Sequence, residues 1–301
     1  VDTDRRRDRR NRESEHRDPR HRRRAGDGEF ATSTAALAAL AREGAEVSAH
    51  FSDADTGATL LSLDDRVVLP IAGLGTVLLL AEVSARMSVD EAFGFELLDK
   101  RTLASVTGSG LWRALAVPVL PVADLAVLSA ATGDTLATNA LVMRVGLDSV
   151  RSRAEGLGLT RTALLDVVRD DRGPDDAPQL AVGTTEDLST LFGLIARGEV
   201  LGRVTSERVM SWLSRSSDLS LVADAFGLDP LAHGRTGDSP QLINKTGRAA
   251  GVVAEAGVVR GAVAAISYAV TVRYPDTTNA GQERIFDALR RLGGDLAEHA
   301  G

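Results

Sequence analysis

The sequence predicts a mixed α/β fold: an antiparallel sheet lobe flanked by terminal helices, with an all-helical lobe inserted in it. Strand-like alternation occurs near both ends of the chain, and helical periodicity fills the middle. Strands so far apart in sequence share one sheet only if the lobe they build is discontinuous. The boundaries drawn are an arginine-rich tail at 1–30, the sheet lobe at 31–66 and 200–301, and the helical lobe at 67–199 with a long loop at 166–182.

Each element has its own signal. Residues 32–42, TSTAALAALAR, are rich in Ala and Leu and predict a helix with Thr32 or Ser33 as cap. Val47, Ala49 and Phe51 alternate with polar residues, Asp55-Thr56-Gly57 supplies a turn, and 59–63 returns as a second strand. After Pro70 the pattern turns helical, and the run beyond Leu74 is apolar all round, as in a central helix. Residues 125–141 are helical with an interruption at Gly133. Thr184 caps the next helix with Asp187 three residues on, and Leu188, Leu191, Phe192 and Ile195 form its apolar stripe. The charged, Pro/Gly-punctuated stretch 166–182 is longer than an ordinary connection, which marks it as functional in origin. Strands return at 249–259 and 262–274, and a final helix at 279–300 aligns Ile285, Leu289 and Leu292.

Composition narrows the function classes. There is no cysteine, which excludes disulfides and thiolate metal sites. Of the 35 basic residues only Lys100 and Lys245 are lysine, the bias of a GC-rich genome. The first 24 residues hold 11 arginines and six acids, with Val1 as their one apolar side chain, so disorder is expected there. Without them the body carries a net charge of −12, a poor match for nucleic acid. No apolar run is long enough to cross a bilayer, and no export signal is visible. The chain therefore reads as cytoplasmic if it starts at Val1, and as exported if Val1 follows processing. The five histidines (His16, His21, His50, His233, His299) are scattered, and GSG at Gly108 lacks a P-loop frame, so neither metal nor cofactor is expected.

Several ordered stretches carry a resemblance: DADTGATLLSLDDRVVLPIAG (53–73), GSGLW (108–112), LAVLSAATGDTLATNAL (125–141), GLT (158–160), and KTG (245–247) followed by RAAGVVAEAGVV. Together they resemble the class A serine β-lactamases and related penicillin-recognising enzymes over about residues 34–300. The resemblance implies the β-lactamase/transpeptidase-like architecture and a serine acyl-enzyme chemistry. That chemistry is marked by S-x-x-K, S-D-N and K-T-G motifs and a glutamate-bearing loop.

Set against those motifs, this chain departs almost everywhere. GLGT puts Gly73 at the nucleophile and Thr76 at the lysine base. GDT puts Gly133 at the proton-relaying serine and Thr135 at the asparagine, keeping Asp134, whose implied role is structural. Asn139 matches a structural position. Val168 falls at the deacylating glutamate and Arg172 at the loop asparagine, with Asp170 and Asp171 nearby. Only KTG, Lys245-Thr246-Gly247, is intact, with Arg248 behind it.

The reading is a pseudoenzyme that binds a carboxylated small molecule, β-lactam or peptidoglycan-like, between the lobes. Its expected binding residues are Lys245, Thr246, Gly247, Arg248, Trp112 and Gly73, where the open backbone N–H groups of 73–75 suit an anion. For Lys245 local packing, and for Trp112 a core position, remain open as alternatives. A second reading is a related hydrolase or acyltransferase using a displaced Thr76, Ser109, Ser129 or Thr132, with Asp134, Asp170 or Asp171 as base. A third is a structural or partner-binding protein.

Overall fold

The computed structural model describes residues 30–233 and 240–301. The tail, with His16 and His21, lies outside the described residues up to position 29. Phe30, drawn as its last residue, belongs to the fold: it is 4 % exposed and packs edge-on against Phe51 and face-on against His299. Helix α1 (Ala31–Arg42) follows without a side-chain cap. Ser33, an expected cap, instead donates from its N–H and hydroxyl to Asp295 at 2.7 and 2.8 Å. It thereby ties the first helix to the last.

The hairpin β1 (Glu46–Asp53) and β2 (Thr59–Leu63) closes through Asp53, whose Oδ1 accepts from the N–H and hydroxyl of Thr56. After the short β3 (Leu69–Pro70), a 3₁₀ turn at Ala72–Gly75 leads into α2 (Thr76–Val89). Residues from Thr76 to Ala85 are buried on every side, the pattern of a helix at the centre of a lobe. By length and composition 72–89 is apolar enough to cross a membrane, contrary to the reading that no run is, but 72 % of it is buried inside the fold. Around it stand β4 (Leu97–Asp99), β5 (Val119–Pro121), α3 (Val122–Thr132), α4 (Thr135–Val145) and α5 (Leu147–Gly156). Gly133 ends α3 at φ 60°, a left-handed conformation that glycine adopts without the cost a Cβ brings.

The chain then forms β6 (Ala163–Leu164) and β7 (Ala181–Gly183), which pair with each other and so fix both ends of the 166–180 loop, and β7 pairs on its other side with β3. Helix α6 (Thr185–Arg197) begins at Thr184, whose hydroxyl accepts from Asp187 N. It is followed by α7 (Arg203–Leu213), β8 (Gln241–Ala249), β9 (Val252–Arg260), β10 (Ala265–Arg273) and α8 (Asn279–Ala300). The strand expected from 249 starts at 252, because Ala250 and Gly251 make the turn between β8 and β9.

The main sheet runs β2-β1-β10-β9-β8, antiparallel throughout. β9 and β10 are buried for eight of their nine residues, as strands covered on both faces must be. One face packs on α1 and α8 through Leu37, Leu289 and Leu292, and the other on α6. Helix α7, assigned by the boundary at 200 to the sheet lobe, packs on α2, α3 and α6 and so extends the helical lobe. β8 is the edge strand next to that lobe.

Candidate functional site

A cavity of about 430 Å³ opens where the edge strand meets the helical lobe. Lys245, Thr246 and Arg248 of β8 form one wall; Gly73 and Thr76 form the floor. The α3–α4 junction from Ala131 to Thr135 stands opposite, with Ser109 beside it and Val168 and Leu180 of the long loop across the mouth. The positions expected at the nucleophile, the base, the relay, the asparagine and the deacylating glutamate are thus gathered into one pocket.

What those positions hold is chemically quiet. A Cβ on Gly73 would meet only Thr246 O, at 3.9 Å, so the glycine leaves open space that no neighbour fills. The preceding Ala72 sits at φ 47°, strained by about 1–2 kcal/mol for a residue with a Cβ. Thr76 is 4 % exposed and its hydroxyl donates back to Gly73 O at 2.8 Å. The Leu74 N–H, expected to be open to an anion, donates to Ile71 O at 3.1 Å. The other displaced-nucleophile candidates are also committed. Ser129 pairs with Thr138, Thr132 donates to Leu128 O, and Ser109 donates to Gly133 O at 3.0 Å.

The acids have structural duties. Asp134 caps α4 by accepting from Ala137 N at 2.9 Å and holds Trp112 N at 2.7 Å. Asp170 accepts from the N–H and hydroxyl of Thr107, tying two loops together. Val168 exchanges both backbone groups with the Asn139 side chain, at 2.7 and 2.9 Å, which seats the long loop on α4. Arg172 joins Arg169 in pairing with Asp166. Asp166 itself is buried, and the Arg169 guanidinium, the Val167 N–H and the Arg172 guanidinium together outweigh that burial and hold its carboxyl below the usual range. Among the described residues, no group of three or more His, Asp or Glu is placed to hold a metal ion.

Two expected binding residues do something else. Trp112 is fully buried and absent from the cavity lining; Asp134 draws its backbone inward and its indole N–H donates to Val117 O. Gly247 makes room for the backbone, since a Cβ there would come within 2.1 Å of Ile71 O and 2.8 Å of Leu74 N.

Lys245 is the exception to this quiet inventory. It is 5 % exposed, and no hydrogen bond or ion pair reaches its amine among the described residues. A Cβ on Gly133 would lie 3.5 Å from Nζ, so the amine faces the place where the relay serine would project. Burial lowers its pKa from 10.5 to about 8, against a partial offset from the Asp218 charge. The ammonium is therefore the predominant form at neutral pH, held by the Asp218 charge at a distance and by no hydrogen bond among the described residues.

Sequence reasoning missed Asp218. It lines the cavity, half-buried, and its two oxygens accept from Thr246 Oγ1 at 2.8 Å, Arg248 Nε and Nη2 at 3.2 and 3.3 Å, and the N–H and hydroxyl of Ser220. Burial opposes its ionisation, but Ser220, Arg248 and Thr246 together hold its pKa below the ordinary value. Its partners on β8 lie across an intervening segment, so no local spacing announces the contact. Asn244, the neighbour of Lys245, donates to Asp218 O and to Glu255 Oε1 and so fixes the segment to the sheet. Glu255 is fully buried, also accepts from Tyr268 OH and Val222 N, and burial raises its pKa to about 7.

Comparison with known proteins gives the arrangement its context. In structure the chain is similar to a beta-lactamase from Sphaerobacter thermophilus, with TM-score 0.75, 20 % identity, 87 % of this chain and 95 % of that one covered. It is similar to PBP-A with TM-score 0.73 and 19 % identity, over 89 % and 94 % of the two chains. A class A beta-lactamase from Mycobacterium abscessus gives TM-score 0.67 and 16 % identity over 86 % and 97 %. Identities this low speak for the fold alone. A comparison with curated protein sequences gave no match. The model of the beta-lactamase enzyme family matches residues 30–300, essentially all of the described fold, and the chain belongs to that family.

Proposed function

We propose that this protein uses the β-lactamase fold as a binding module, holding a carboxylated small molecule in the cleft between the lobes without running a serine acyl-enzyme cycle. The observation that carries this reading is the Lys245 ammonium, on a largely buried side chain with no hydrogen bond among the described residues, lining a cavity that has no nucleophile at Gly73 and no base at Thr76. A buried charge without a partner costs free energy, and an anionic ligand removes that cost by supplying the partner. β-Lactams and peptidoglycan fragments carry such carboxylates, and solved structures of this fold include PBP-A in an acyl-enzyme complex with penicillin G.

Magnitudes argue against turnover. In an unrelated serine hydrolase, loss of the nucleophile alone costs about 10⁶ in rate, and binding with an oxyanion hole retains about 10³–10⁴ over water. Here the nucleophile, base, relay and deacylating carboxylate are all replaced, by Gly73, Thr76, Gly133 and Val168.

One observation favours a second reading, a hydrolase with a displaced nucleophile. Ser109 Oγ lies 4.0 Å from the same Gly133 Cβ position that Lys245 Nζ approaches at 3.5 Å, so a serine and an amine of lowered pKa share one corner. Against it, the hydroxyl donates to Gly133 O rather than to the amine.

Intact-mass measurement after incubation with a penicillin and a cephalosporin separates the two. The binding reading predicts an unchanged mass. An adduct mapped to Ser109 would replace it with the hydrolase.

A further inference from the structure

The pocket wall contains a second cation, and its charge is already answered from within the chain. The Arg248 guanidinium and the Thr246 hydroxyl both point at the Asp218 carboxylate, which also takes two hydrogen bonds from Ser220. Five donors fill the acceptor capacity of that carboxylate, so it has none left to recruit a cationic ligand group. Its position is fixed on two sides. Asn244 holds the Asp218 carbonyl to β8, and the neighbouring Ser217 donates from both its N–H and its hydroxyl to Ala131 O at the end of α3. The two cations on this wall therefore differ: Arg248 is bound directly to Asp218, whereas Lys245 feels that charge without a hydrogen bond to it.

We infer, on the reading given above, that Asp218 is a built-in occupant of an anion subsite formed by Thr246, Arg248 and Ser220, and that the pocket selects ligands with a single anionic group, seated at Lys245. A second carboxylate on the ligand meets the Asp218 charge on the wall where it would otherwise find Arg248. Asp218 is thus a specificity-determining residue. Half-exposed at the cavity lip, its side chain can be removed without opening the core.

Replacing Asp218 with alanine leaves a carboxylate-sized vacancy beside Thr246 and Arg248, and free acetate is the probe that matches it. At constant ionic strength and pH 6.5, acetate should raise the Tm of Asp218→Ala saturably, by about 3 °C or more beyond the shift it gives the wild type, where Lys245 is the site left open to it. Adding Arg248→Met to that variant should return the acetate response to the wild-type level. An equal acetate response in wild type and Asp218→Ala would overturn the inference.

Asp218→Asn keeps the volume and removes the charge, which allows a second reading by calorimetry. Wild type should bind benzylpenicillin, with one carboxylate, at least tenfold more tightly than carbenicillin, with two. In Asp218→Asn that preference should shrink to less than threefold, and an undiminished preference would overturn the specificity role. If acetate rescues Asp218→Ala while neither penicillin binds any form, the built-in occupant stands and the proposed ligand class fails.

Discussion

Lys245→Met is the substitution whose consequences separate a binding pocket from a packed core most sharply. Lys245 is 5 % exposed as a residue, no hydrogen bond reaches its amine among the described residues, and its pKa of about 8 lies well below the ordinary 10.5. Each unit corresponds to about 1.36 kcal/mol, so the folded state carries about 3 kcal/mol of penalty for keeping the lysine charged at pH 7. Methionine preserves most of the aliphatic stem and removes the charge. The variant should therefore be more stable than wild type, by up to about 3 kcal/mol in urea unfolding at pH 7. Because the folded pKa is depressed, the folded state binds fewer protons than the unfolded one between about pH 8 and 10.5. Wild-type stability should rise across that window relative to the variant, and the difference between them should close. A lysine retained for local packing would behave oppositely. Destabilisation of Lys245→Met by more than about 1 kcal/mol at pH 7 would refute the reasoning, since it would mean that the amine makes stabilising contacts in the folded state.

Other consequences follow from the same geometry. Glu255 has its pKa raised by burial to about 7, so its contribution to stability is fully present below about pH 4.5 and is lost as pH rises to about 7. Urea unfolding at pH 4.5 and 7.5 should show a fall of about 3 kcal/mol from this group that Glu255→Gln lacks, while the depressed carboxylates such as Asp166 act with opposite sign below pH 4. An unchanged slope in the variant would assign the titration elsewhere. Gly247→Ala should destabilise by about 2–3 kcal/mol, because its Cβ would press on the Ile71 carbonyl, whereas Gly73→Ala should be tolerated within about 1 kcal/mol. Comparable losses at the two glycines would contradict the close approach of β8 to the 3₁₀ turn.

Much of the architecture was legible because its signals are local. The Thr184–Asp187 cap, the hairpin turn around Asp55, Thr56 and Gly57, and the Ile285, Leu289 and Leu292 stripe each lie within one element and appear in the fold as the residues indicate. Motif order also brought Gly73, Thr76, Gly133, Thr135, Val168 and Lys245 to one cavity. What sequence could not carry is set by contacts between distant segments. Trp112 reads equally as a pocket aromatic or a core residue, and only the Asp134 carboxylate drawing its backbone inward decides for the core. Gly247 reads as part of a binding tripeptide until the Ile71 carbonyl is found where its Cβ would stand. Asp218 has no motif at all, and its role depends on β8 bringing Thr246 and Arg248 alongside it. The packing of α7, placed by the boundary at 200 with the sheet lobe, is likewise set by distant segments: it contacts α2, α3 and α6 more than the strand β8 that follows it in sequence.

The central claim is that the Lys245 ammonium is the anchor for a ligand carboxylate that is bound and released unchanged. The most direct measurement is equilibrium titration of benzylpenicillin into wild type and Lys245→Met at pH 6.5 and 9.5, with the penicillin recovered afterwards for mass analysis. The account predicts saturable binding at pH 6.5, at least tenfold weaker binding at pH 9.5 where the amine is neutral, none to Lys245→Met, and intact penicillin throughout. Binding that persists in Lys245→Met, or recovery of ring-opened penicillin from the wild type alone, would contradict it.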